Sequence, residues 1–560
     1  MLGQAIDDFQ AAGREVWPRQ RWRRQGLLAP AMALLLLSVG CEEPREEESK
    51  PVAFVPQPPV LPRLLRSQYH NFVRDVLGND LTMPSSLEPD IAFDDLFSVG
   101  AGVAKVSPRG VELYEDAARA LAAQVAGKPE RLAALLPCQP KNPMDAACLG
   151  QLIDKIGPPL WRRPMTESER QGVLDQGLAA AKALGTFAQG AEYVLARMLQ
   201  SPHFLYRVEQ GESDPTLPGT RRVTQWELAA RMALFLWNGP PDQALIAAAA
   251  QGKLHDPVER KAQVERMLGH SNAKRAVRNF AEDWLKLAGL HELSKDPKIY
   301  KHFSADLGAS AMEETLRNVE ALVFDRNADL GELLTSRSTF VDRRLAAIYD
   351  VPAVEEKGFH KVQWPVNGER AGLLGQVSFL AQAAHATTSS ATLRGVYMRK
   401  VLLCDQVPDP PAGLNTALPE PNSAAKTLRE RSAVHLEVKY CASCHQDLDS
   451  IGLGLERFDG VGRYRLTDHG APIDSTGHLD KQPFDDAAQL GQRVAASAKF
   501  TRCVVQKLYG YALGRPVAAG EKALIDGLTE KFTKDGRRLK LLMQAVALSD
   551  GFVRLKGGQP

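Results

Sequence analysis

The stretch with the most definite chemistry is Cys441-Ala442-Ser443-Cys444-His445. Two thiols separated by two residues and followed at once by a histidine are the attachment signature of a c-type haem. On a single helical turn both sulfurs lie along one edge, placed to form thioethers with the porphyrin vinyl groups. The histidine then sits under the iron as its proximal ligand. C-x-x-C also serves zinc sites and dithiol redox centres. Zinc needs further Cys or His ligands at short spacing, and the chain has no second C-x-x-C. A thioredoxin-like centre needs a strand-rich βαβ setting, which this region lacks. The expectation is one covalent haem c held by Cys441, Cys444 and His445, with a disulfide or redox pair as the alternative. The distal position stays open among His435, His469, His478 and Met543. A Met or His there gives an electron-transfer iron, and a vacant position gives small-molecule chemistry. Arg463 and Arg465 are candidates to neutralise the haem propionates, with ordinary surface ion pairs as the alternative.

Haem attachment of this kind belongs outside the cytoplasm, and the N-terminus agrees. The basic run Arg19 to Arg24 precedes an apolar stretch over 27–40 that ends at Cys41. That order reads as a bacterial lipoprotein signal, with lipid on Cys41. The apolar stretch is shorter than the roughly 20 residues of a stable membrane-spanning helix. A plain cleaved signal with an incidental Cys41 is the alternative, and either reading exports the chain. The expected place is the periplasm or the outer membrane of a Gram-negative-type bacterium, with the lipid holding the protein to the membrane. The seven cysteines then divide without remainder. Cys138, Cys148, Cys404 and Cys503 are left over in an oxidising compartment. Cys138–Cys148 and Cys404–Cys503 are the expected disulfides, one of three possible pairings, with buried free thiols as the alternative.

The remaining residues must position that site. A chain of 560 residues implies several modules. Net charge is +2, with no basic run interleaved with aromatics, so nothing points to nucleic acid. Apolar residues recur at three- and four-residue steps from Leu64 onward, without sustained strand alternation, so the fold class is mainly α. Capping boxes at Thr166-x-x-Glu169 and Thr224-x-x-Glu227 open two helices. Asp256-Pro257 opens another, with proline at its first position. A charged amphipathic helix is expected over 422–440, running straight into Cys441. The glycine-rich run Ile451 to Gly460 is expected to bring apolar side chains against a haem face. The expected organisation is a signal peptide over 1–41, an acidic and proline-rich tether over 42–63, and helical modules over 64–127, 138–207, 222–352, 366–470 and 484–556.

These segments, in this order, resemble a multi-module family of bacterial exported proteins related to cytochrome c. Its pieces are known as domains of unknown function 1587, 1595, 1592, 1588 and 1585. The resemblance rests on Arg74-Asp75-Val76-Leu77-Gly78, on Trp161-Arg162-Arg163-Pro164, and on Ser201 through Arg207. It rests further on Glu227 through Arg231, Phe235-Leu236-Trp237, Arg394-Gly395, Cys441 through Arg463, and Tyr511 through Arg515. Ala391 departs from it, standing where the family usually has proline. The resemblance implies covalent haem, export and a modular helical build. It makes His435 the first distal candidate, because a histidine is common there. It names no substrate. Three functions follow as expectations: electron transfer with an unidentified redox partner protein, a haem-dependent oxidoreductase, and a partner-binding lipoprotein with a structural haem.

Overall fold

Local capping chemistry starts the helices. Glu169 N donates to Thr166 Oγ1 (3.2 Å) and Thr166 N donates to Glu169 Oε2 (2.8 Å), opening the helix Glu167–Leu184. The same reciprocal pair at Thr224 and Glu227 (3.3 and 2.8 Å) opens Gln225–Trp237. Pro257 is the first residue of Pro257–Gly269, capped by Asp256. Each box satisfies two backbone donors that a helix start leaves unpaired. These features come from a computed structural model, which describes residues 54–352, 357–409, 418–437 and 439–557. The expected signal segment, Cys41 and the acidic tract after it lie outside the described residues. Within the described residues the fold is mainly α, and the strands are two to four residues long. No helix among them is long and apolar enough to cross a membrane.

Two apolar cores organise these helices, and their limits are not those of the sequence segments. Arg66–Leu77, Pro108–Ala126, Ala146–Trp161, Glu167–Leu184 and Phe187–Leu199 share one core. The second core runs from Leu96 to Leu555 and takes in the segments 222–352, 366–470 and 484–556 together. A helix offers one apolar stripe and must cover it with a neighbour's, whatever the distance along the chain. Gln225–Trp237 links the two cores. Every residue from Leu228 to Trp237 is buried, and Leu234 packs into the first core while its neighbours pack into the second. Both expected disulfides are present, Cys138–Cys148 and Cys404–Cys503. The second closes a separation of 99 residues around the C-x-x-C-H helix.

Buried arginines tie the segments to one another. Arg162 donates to the carbonyls of Leu160, His203, Phe204 and Tyr206 at 2.8–3.1 Å. Glu209, with a side chain fully buried, pairs with Arg207 at 2.9 Å and Arg231 at 2.5 Å. Arg207 also donates to the Leu513 carbonyl (2.6 Å) and Arg231 to the Phe552 carbonyl (2.7 Å). One buried carboxylate thereby joins three distant parts of the chain.

Two expectations are corrected. The helix expected over 422–440 begins only at Leu428, and continues as separate pieces Leu428–Ser432 and Val434–Glu437. The reason is local. Asn422 Oδ1 accepts from Ala424 N and Ala425 N, forming a turn, and Thr427 with Glu430 then makes a capping box. Between two of the expected modules lies a short strand, His360–Gln363, paired antiparallel with Ser338–Val341. The glycine-rich run after the motif does not present its apolar residues outward. Ile451, Leu455, Phe458 and Val461 are all buried in the second core. Gly452 lies so close to the Ala391 carbonyl, and Gly395 to Leu448, that a Cβ at either would collide with backbone. Close approach of two helices consumes that face.

One buried acid carries a pH prediction. Glu314, on the helix Leu307–Glu320, accepts from Thr339 Oγ1 (2.6 Å) and Tyr349 Oη (2.5 Å). Burial pushes its carboxyl up from 4.5 to about 8, against those hydrogen bonds. Between these values the folded chain holds a proton that the unfolded chain releases. Stability from this group is therefore expected to fall as pH rises from 4.5 to about 8, and to level off above. Glu314→Gln, an isostere of the protonated acid, should flatten that slope in urea titrations across the window. An unchanged slope would assign the dependence elsewhere.

Candidate functional site

Cys441, Cys444 and His445 lie on the helix Lys439–Leu453. Both thiols are free, Cys441 half-buried and Cys444 exposed, while the four other cysteines of the described residues are bonded in pairs. The His445 side chain is 24% exposed, enough to be reached from outside. One turn further along, Asp449 takes its ring. His445 Nδ1 lies 2.9 Å from Asp449 Oδ2. A carboxylate at that distance accepts, so Nδ1 carries the proton and Nε2 keeps its lone pair for a metal. Asp449 is buried, at 4% exposure, and its other oxygen accepts from Thr392 Oγ1 at 2.7 Å. Thr392 belongs to the helix Ala391–Tyr397, which reaches this point because Gly395 and Gly452 let the two backbones approach. Ser390 caps that helix, its Oγ accepting from Leu393 N (3.2 Å), with Ala391 at the first helical position.

His435 joins this group from the preceding helical piece. Its ring centroid is 4.3 Å from that of His445, and its Nδ1 is 3.8 Å from Asp449 Oδ2. That nitrogen is buried without a hydrogen-bond partner. Burial and the neighbouring His445 ring hold His435 below the ordinary histidine range, against the pull of Asp449. Ligand atoms of His435, His445 and Asp449 lie within 4.8 Å of one another, a spacing that suits a metal ion. His435, the first distal candidate from the sequence, thus lies beside both His445 and Asp449.

The remaining candidates each have other neighbours. Met543 is fully buried in the second core, where its thioether is occupied with packing. His478 Nδ1 is 2.8 Å from Ser450 Oγ, and His469 is a half-exposed side chain beside Asp468. Arg465 is committed to Glu456 and Asp468, each at 2.9 Å. Arg463 is exposed. The residues left out of the sequence reading are Asp449 and Thr392. Asp449 had a signal, since it stands four places after His445 on a helix. Thr392 had none, being 57 positions away.

The residues fit a haem. Two unpaired thiols share a helical turn, and a histidine with a fixed tautomer follows them. Apolar side chains are left in solvent beside the motif, Val434 at 38%, Leu436 at 49% and Tyr440 at 66%. A pocket of about 210 Å³, lined by Asn318, Leu322, Phe340, Gly372 and Gln376 among others, shares no residue with this site.

The fold and site define a multi-module helical protein in which a single module carries the C-x-x-C-H helix. Five families match in succession, each described as a protein of unknown function. They are DUF1587 over residues 63–127, DUF1595 over 148–209 and DUF1592 over 223–351. DUF1588 follows over 370–468 and DUF1585 over 480–552. The chain belongs to the multi-module family built from these five domains. No curated protein and no solved structure matches it.

Proposed function

We propose that this is an exported, lipid-anchored c-type haem protein that transfers single electrons in the periplasm or at the outer membrane. The observation that carries the proposal is the set of free Cys441 and Cys444 thiols beside a His445 whose Nδ1 is already taken. A haem bound there supplies one-electron exchange between ferrous and ferric iron. Cys441 and Cys444 would hold it, His445 Nε2 would ligate its iron, and the exposed Val434, Leu436 and Tyr440 would offer it an apolar surface. The signal sequence ending at Cys41 supports export and anchoring. Disulfides at Cys138–Cys148 and Cys404–Cys503 suit an oxidising compartment.

The alternative is a haem-dependent oxidoreductase, favoured by the amount of protein around one motif. Carbon monoxide separates the two. The carrier reading requires a second axial ligand, and so expects the reduced, haem-loaded protein to keep its spectrum under carbon monoxide. Rapid formation of a carbonyl band would favour the oxidoreductase.

A further inference from the structure

We propose that Asp449 is a positioning residue for the iron site, setting the reduction potential through His445, and that Thr392 holds it in place. This rests on the haem reading above and goes beyond it. A proximal histidine that donates Nδ1–H to a backbone carbonyl is a neutral ligand. One that donates to a carboxylate gains imidazolate character, becomes a stronger donor and favours the ferric state. Here the acceptor is a carboxylate, 2.9 Å from Nδ1. It is buried at 4% exposure, so water neither screens nor replaces it. Its geometry is fixed from both ends. One oxygen meets His445, and the other accepts from Thr392 Oγ1 at 2.7 Å. His435 Nδ1, 3.8 Å away, is the remaining polar neighbour and lies beyond hydrogen-bond reach of the carboxylate. Thr392 is presented by a different helix, held against the motif helix at Gly395 and Gly452. Potential is thereby coupled to helix packing as well as to the motif.

The test uses the full chain matured with a cytochrome c assembly system, as wild type, Asp449→Asn, Asp449→Glu and Thr392→Val. Covalent haem is scored by the pyridine haemochrome spectrum and intact mass, and the potential by redox titration. All four proteins are expected to carry haem. Asp449→Asn should shift the reduction equilibrium toward ferrous iron by about tenfold, the lower end of the 10–100-fold effects that such partners have on metal affinity or activity. For a one-electron couple tenfold is 59 mV. Asp449→Glu should recover part of the wild-type value, and Thr392→Val should move in the same direction as Asp449→Asn by less. A haem-loaded Asp449→Asn protein with the wild-type potential overturns the proposal and reduces Asp449 to a packing role. If Asp449→Asn does not fold, an unmoved potential in Thr392→Val overturns it equally. Absence of haem from the wild type is a different result, which removes the haem reading itself.

Discussion

Replacing Cys441 and Cys444 together by serine is expected to abolish covalent porphyrin entirely, with little cost to the fold. The chemistry is all-or-none. Thioether formation consumes a thiol at each vinyl group, and a serine hydroxyl does not substitute for it. The small cost follows from the structure. Neither thiol is in a disulfide, Cys444 is exposed and Cys441 half-buried. Surface changes of this kind stay within about 0.5 kcal/mol. Intact mass should therefore show the porphyrin adduct in the wild type and none in the double variant. Urea melts of the haem-free chains should superimpose. His445→Ala separates attachment from ligation, since it keeps both sulfurs and removes the nitrogen under the iron. A wild-type protein without the adduct, after processing in a haem-maturing host, would end the haem reading.

Glu209→Ala should be among the most damaging single changes in the chain, and it lies outside the motif. The carboxylate is buried between Arg207 and Arg231, at 2.9 and 2.5 Å. Removing it leaves two guanidinium groups facing each other without a counter-charge. Breaking a buried pair in this way costs about 3–5 kcal/mol. The loss should spread, because the same arginines hold the carbonyls of Leu513 and Phe552 near the C-terminus. Chemical denaturation should show a lower midpoint, and protease should gain access at the C-terminal helices. The pH dependence has a definite sign. Burial alone would push the Glu209 carboxyl up, but the Arg207 and Arg231 charges outweigh it and hold it below the ordinary range. Its stabilisation is therefore complete above the unfolded carboxyl value of about 4.3 and lost as pH falls through the depressed folded value. A Glu209→Ala protein as stable as wild type would show that the arginines find water or other acceptors.

The residues that mark the family mostly do structural work. Arg162, Arg207, Arg231 and Arg394 are buried, and each donates to backbone carbonyls of distant segments. Arg394, for example, reaches the Leu455 and Asp459 carbonyls (2.9 and 2.7 Å) and pairs with Glu456. A planar group with five donors satisfies several carbonyls at once, which suits the crossing points of a multi-core chain. Their motifs identify the family without describing its chemistry.

What the sequence determined by itself was what short range controls. The thiol–thiol–histidine spacing, the boxes at Thr166 and Thr224, the proline start at Pro257 and the mainly helical character all depend on residues within one or two turns. Asp449 was within that range too, as the fourth residue after His445, and the box at Thr427 was equally readable. Only the tertiary structure decided which segments share a core, that the glycine-rich run packs inward, and that Thr392 and His435 gather around Asp449. The reason is physical. A hydrogen bond between neighbours on a helix is set by its pitch, whereas a partner 57 residues away is selected by how closely two backbones can approach.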